Sequence, residues 1–243
     1  MNEKDIEGAR VVVAEACRVA AARGLMEGIL GHISFRVSHD LLLIRCRSAD
    51  DTGVAYTRPA DIRLVRFDGT AGAPGELDNG YQVPKELPVH VESMRASPDI
   101  RAVAHLHPPS IVAADLAGIS LRPIYGAYDI PGAVLARGGV PVYRRAVLIH
   151  RTQLGKEMVT AMGDRPVVIC RGHGITSVAS SVQQSVLQAA SLEELARMSL
   201  AVVSAGGTLV DIDDADWEDL PDLGANFNTG AVWRHEVARA ATV

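Results

Sequence analysis

Eight histidines mark this chain: His32, His39, His90, His105, His107, His150, His173 and His235. A lone histidine is usually a surface group or a satisfied core residue, so the informative ones are those that spacing brings together. His105 and His107 lie two apart at the end of an expected strand, so they share one face, roughly 6.6 Å apart along the backbone. Two imidazoles so placed can share one divalent ion. His173 stands between Gly172 and Gly174 after another expected strand, and flanking glycines permit close backbone approach. Read alone it is a loop histidine at a tight turn. Read with the pair it makes a three-histidine set that leaves coordination positions open for substrate, the catalytic rather than the structural pattern. Glu86 opens the helix before the His105 strand, with His90 one turn later on the same face. A carboxylate there is either a partner of the helix dipole or, beside a divalent ion, a fourth ligand or proton-transfer base. His90 reads as a buried partner behind it.

These groups need elements to hold them. Ile6, Ala9, Val12, Val13, Ala16 and Val19 recur at spacings of three and four, which predicts a helix over about Asp5–Arg23 stopped by Gly24. Ile33, Phe35 and Val37 alternate with polar neighbours, Leu42–Cys46 follows, and Ile62–Phe67 precedes Asp68-Gly69; these read as antiparallel, turn-linked strands. A helix is expected from Lys85 to Ala96 with Pro88 in its first turn, then a strand at Ile100–His105 and a helix at Ser110–Leu116. A strand at Ala146–Ile149, a helix at Thr152–Met162 and a strand at Pro166–Cys170 alternate in the same manner. The last long helix, Ser181–Ser204, opens on a Ser181/Gln184 capping pattern and ends at Gly206-Gly207. The class is α/β with a mixed or antiparallel sheet.

The 243 residues are 48% hydrophobic with a net charge of −5, enough apolar material for a substantial core and against disorder. No linker or low-complexity block divides them, so one domain spanning 1–243 is expected, with 211–243 as a tail packing on it or on a neighbouring subunit. No apolar run approaches the roughly 20 residues that span a bilayer, and the first residues carry no secretory pattern, so the expected compartment is the cytoplasm, without membrane partners. The mild negative charge offers no footprint for nucleic acid. Cys17, Cys46 and Cys170 are widely spaced, fit neither a disulfide framework nor a CxxC metal site, and are expected to be buried. Lys4, Lys85 and Lys156 stand against 21 arginines; codon bias explains most of that excess. Six of the arginines, however, fall between Arg36 and Arg66, and guanidinium groups bind carboxylates bidentately.

Four segments, Gly31-His32-Ile33-Ser34-Phe35-Arg36, Glu86-Leu87-Pro88-Val89-His90, the run from Ser97 to Pro109 and Arg171-Gly172-His173-Gly174, together resemble the class II aldolase/adducin family over roughly residues 8–210. The resemblance implies a single α/β/α domain with a largely antiparallel central sheet flanked by helices. It also implies a homotetramer with active sites at subunit interfaces and one divalent metal ion per subunit, held by His105, His107 and His173, with Glu86 as acid/base and at times a ligand. Zinc, manganese, iron and cobalt all remain open.

Departures from the sugar-phosphate members matter. Where those place an asparagine, a Thr/Ser-Gly turn and a serine pair around phosphate, this chain has His32, the stretch Arg45-Cys46-Arg47, and Pro84-Lys85 before Glu86. Cations suit planar carboxylates, and the pattern resembles the family's decarboxylase branch. A small anionic aromatic substrate, a hydroxylated dicarboxylate, is expected. A bound metal would be the electron sink, Glu86 the proton shuttle and His90 its tuner, while His32, Arg45, Arg47 and Lys85 would bind substrate. Tyr125 is a candidate acid donated across the interface, or an interface packing residue with Tyr128. Trp233 and His235 are expected to dock the tail helix. Two alternatives stay open: a metal-dependent aldolase of a non-phosphorylated hydroxy-oxo acid, and an adducin-like binding module without metal.

Overall fold

A computed structural model describes residues 2–224 and 227–242. The first helix, α1 (Glu3–Ala22), starts at a capping box in which Asn2 and Asp5 each accept the other's backbone N–H. Three short strands follow, β1 (His32–Arg36), β2 (Leu41–Arg45) and β3 (Ile62–Arg66), then α2 (Leu87–Ala96) and β4 (Ala102–Leu106). After them come α3 (Pro109–Leu116), α4 (Ile130–Ala136), β5 (Val142–Tyr143), α5 (Thr152–Met162), β6 (Val167–Cys170), β7 (Gly174–Ala179), α6 (Val182–Ser204) and α7 (Trp233–Ala240). The seven strands form one sheet in the order β3-β2-β1-β4-β7-β6-β5, antiparallel except for the β5–β6 edge pair.

Because side chains alternate across a strand, the sheet divides two apolar layers. Ile33, Leu43, Ala104 and Ile169 face the larger cluster with α1, α4 and α6, whereas Leu42, Ile44, Val103 and Val168 face α2 and α5. The three cysteines are free and buried among these layers. No helix among the described residues is long and apolar enough to cross a membrane. In the tail, α7 lies on α1: the Trp233 indole donates to Glu15 at 3.0 Å, and Arg23 pairs with the buried Glu236 at 3.2 Å.

Three elements differ from the sequence expectation. Ala146–Ile149 is not a strand; the Ile149 N–H donates to the Glu86 carboxylate instead of to a neighbouring strand, and the edge strand lies earlier, at β5. The strand β7 was not foreseen, since Gly-Ile-Thr-Ser-Val-Ala is central and buried almost throughout, so it carries no polar alternation. The short helix α4, capped by Asp129, was likewise unanticipated.

Candidate metal centre

Four side chains converge at one end of the sheet, on the α2/α5 side. The strand β4 carries His105 in its ladder and His107 just past its end, where the His107 N–H is held by the Leu25 carbonyl. The tight β6–β7 turn carries His173, and its shape is fixed by Asp115 of α3, which accepts the Gly172 N–H at 2.7 Å and lies 3.7 Å from Arg171. Gly174 admits no side chain: a Cβ there would sit 2.1 Å from the Leu106 carbonyl oxygen and 3.0 Å from the His107 ring. The fourth group, Glu86, caps α2, and its Oε1 accepts the Ile149 N–H at 2.8 Å.

The donor atoms of Glu86, His105, His107 and His173 lie within 4.8 Å of one another. Nε2 of His105 is 3.4 Å from Nε2 of His173, and Glu86 Oε2 lies 3.5 and 3.6 Å from those two nitrogens. An ion held at about 2.1 Å by tetrahedral donors keeps them roughly 3.4 Å apart, so these separations fit a single ion. The His107 Nε2 is buried without a hydrogen-bond partner, an orphan that a cation would satisfy. Behind His105, Nδ1 lies 3.0 Å from the fully buried Thr176 hydroxyl, which in turn donates to the Met158 sulfur. With Nε2 giving its lone pair to an ion at the centre, His105 Nδ1 carries the proton and the Thr176 hydroxyl is there to accept it.

Electrostatics agree with a cation cavity. Burial, reinforced by His105 and His173, lowers His107 to about 4, and burial with His105 lowers His173. Burial alone would raise the Glu86 carboxyl, but His105, the Ile149 N–H and His173 together bring it down to about 2, so it is ionised at neutral pH. Neutral imidazoles at His107 and His173 beside an ionised carboxylate are protonation states that metal ligation requires.

Of the other sequence candidates, the structure brings His32 and His90 to the centre. His32 stacks on His105 with ring centroids 5.3 Å apart, and its Nε2 is 3.9 Å from Glu86 Oε2. That approach depends on Gly31, at φ +85°, where a Cβ would press on Met26 at 2.9 Å. Fully buried His90 sits behind His32 at 2.7 Å and meets Ser34 at 2.6 Å. Arg47 is half-buried with its backbone paired to Gln82, and Lys85, next to Glu86 in the chain, is exposed. Arg45 is not brought there: it projects to the α1 face, 2% exposed, and is bound by Asp51 at 2.6 Å and Thr57 at 3.0 Å. Tyr125 is not brought there within one chain either. Its ring packs on Tyr128 beside α6, and burial raises its unpartnered hydroxyl above the usual tyrosine range. Ser34, Asp115, Ile149 and Thr176 were missed, although Ser34 stands in the Gly31–Arg36 motif itself.

Residues 11–200 match the Class II Aldolase and Adducin N-terminal domain. This chain belongs to the class II aldolase and adducin family. Within the family, a Rhodococcus jostii (strain RHA1) protein named 3,4-dihydroxyphthalate decarboxylase is 98% identical over 243 residues, all of both chains. A protein of the same name from Arthrobacter keyseri is 60% identical over 232 residues, 96% of this chain and 94% of that one. Among solved family structures, an aldolase II superfamily protein from Pseudomonas syringae superposes with a TM-score of 0.78 at 23% identity, covering 97% of this chain and 93% of that one. The L-fuculose 1-phosphate aldolase from Glaciozyma antarctica PI12 gives 0.78 at 17% identity, covering 98% and 91%. The family and the sheet architecture expected from the four motifs are both borne out.

Proposed function

We propose that this chain is a metal-dependent, non-oxidative carboxy-lyase acting on 3,4-dihydroxyphthalate. The observation that carries the substrate is the end-to-end 98% identity with the R. jostii decarboxylase; the four-residue centre supplies suitable chemistry. Glu86, His105, His107 and His173 would hold one divalent ion. Such an ion supplies Lewis acidity toward a ring hydroxyl beside the departing carboxylate. The bond from the ring to that carboxylate breaks, CO2 leaves, and the ring carbon takes a proton in its place, giving 3,4-dihydroxybenzoate.

The chain's own residues divide the remaining work. Glu86 Oε1 is tied to Ile149, so proton transfer falls to Oε2, which is ionised and positioned to take the hydroxyl proton and deliver it to the ring. Arg47 and Lys85, without an acidic partner among the described residues, would receive the retained carboxylate. Tyr125 would reach the site only from a second subunit of a homo-oligomer, where its buried, unpartnered hydroxyl gains a use. Incubating the metal-loaded protein with 3,4-dihydroxyphthalate should release CO2 and 3,4-dihydroxybenzoate in equal amounts. No CO2, with cleavage of aliphatic hydroxy-oxo acids under the same conditions, would overturn this reading in favour of an aldolase. A metal content near zero after purification and reconstitution would favour a binding module.

A further inference from the structure

Ser34, His90 and His32 form a file of hydrogen bonds leading from the interior to Glu86. Ser34 Oγ lies 2.6 Å from His90 Nδ1, His90 Nε2 lies 2.7 Å from His32 Nδ1, and His32 Nε2 looks across 3.9 Å at Glu86 Oε2. Ser34 and His90 are fully buried and His32 is 9% exposed. An imidazole always keeps at least one N–H, and a hydrogen bond between two ring nitrogens holds a single proton, so the state of one link constrains the next. The file can therefore run in only two directions.

The two ends select the direction. In the outward one, the Ser34 hydroxyl donates to His90 Nδ1, His90 Nε2–H donates to His32 Nδ1, and His32 Nε2–H points at the Glu86 carboxylate. Every proton then faces an acceptor. In the inward one, His90 Nδ1–H donates to Ser34, whose own proton has no other acceptor among the described residues, and the His32 lone pair opposes a carboxylate oxygen. A buried donor without an acceptor and two facing lone pairs are both penalised. We propose that Ser34, acting through His90, fixes His32 as a neutral Nε2–H donor aimed at the reacting centre. Its chemical consequence is a fixed hydrogen-bond donor for negative charge arising on a substrate oxygen or held on Glu86, without a proton being released. Ser34 and His90 are therefore positioning residues. The use of His32 during decarboxylation rests on the proposed activity, whereas its tautomer does not.

The test reads the tautomer directly. Zinc-loaded protein labelled with 15N-histidine is examined by nitrogen NMR, with the two residues assigned by loss of signals in His32→Gln and His90→Gln. The expected result is a protonated Nε2 and a bare Nδ1 on both residues. A protonated Nδ1 on His32, or a doubly protonated ring, overturns the proposal. Ser34→Ala should remove the pure Nε2–H state of His32 and lower kcat roughly tenfold, with metal content unchanged, and Ser34→Thr should restore both. Unaltered tautomers in Ser34→Ala would refute the part given to Ser34. If the tautomers are as expected but 3,4-dihydroxyphthalate releases no CO2, the decarboxylase reading fails and the file stands.

Discussion

Replacing Glu86 by glutamine separates ligand holding from proton transfer. The carboxylate spends Oε1 on the Ile149 N–H at 2.8 Å and turns Oε2 to the His105 and His173 nitrogens at 3.5 and 3.6 Å. The amide has almost the same shape but must choose an orientation. Placing its NH2 against Ile149 would leave buried donors facing each other, at about 1–3 kcal/mol each, so its carbonyl oxygen stays on Ile149. The NH2 then occupies the place of Oε2, where it has neither a lone pair for a cation nor a site for a proton in transit. Positioned acid–base groups contribute about 10²–10⁴ in rate, equivalent to about 3–5 kcal/mol. The expected result is therefore a loss of kcat by that factor on 3,4-dihydroxyphthalate, while His105, His107 and His173 still fill the site at saturating metal. Initial CO2 release and elemental analysis on the same preparation read both quantities. A kcat within tenfold of the parent at full occupancy would refute the proton-transfer role of Glu86.

Further perturbations probe the frame around the centre. Gly174→Ala must push the Leu106 carbonyl and the His107 ring away from positions 2.1 and 3.0 Å from the new methyl; a stability loss of about 1–3 kcal/mol in urea with weakened metal retention is expected, and parental values for both would contradict the packing argument. Asp115→Ala frees the turn that carries His173 by removing the Gly172 contact at 2.7 Å. Metal affinity by chelator competition should fall about 10–100-fold, and an unchanged affinity would show that the turn holds without it. In the metal-free protein, His90 and His107 titrate at about 3 and 4 when folded, below the ordinary histidine value. The unfolded chain therefore binds protons first, and stability falls as pH drops from about 6.5 toward those values. Glu86, at about 2 when folded, adds stability that is full above the ordinary glutamate value and is lost as pH falls toward 2. A urea midpoint unchanged between pH 7 and pH 5 would contradict the buried neutral histidines.

The local repeat of a strand, two residues, already placed His105 and His107 on one face, and helical spacing already outlined α1, α5 and α6. Those are properties of a few consecutive residues, so the sequence alone determined them, together with the family and the four metal-binding candidates. What tertiary structure decided is non-local. Leu42–Arg45 is buried on both faces, so no polar alternation revealed that the Arg45 guanidinium turns to Asp51 and Thr57. Ile149 leaves the sheet because its N–H meets a carboxylate 63 residues earlier. Ser34 and His90 join across 56 residues, and Thr176 orients His105 only because β7 pairs beside β4 in register. Strand order and helix docking fix such partners, since a hydrogen bond depends on ångströms in space that chain spacing does not encode.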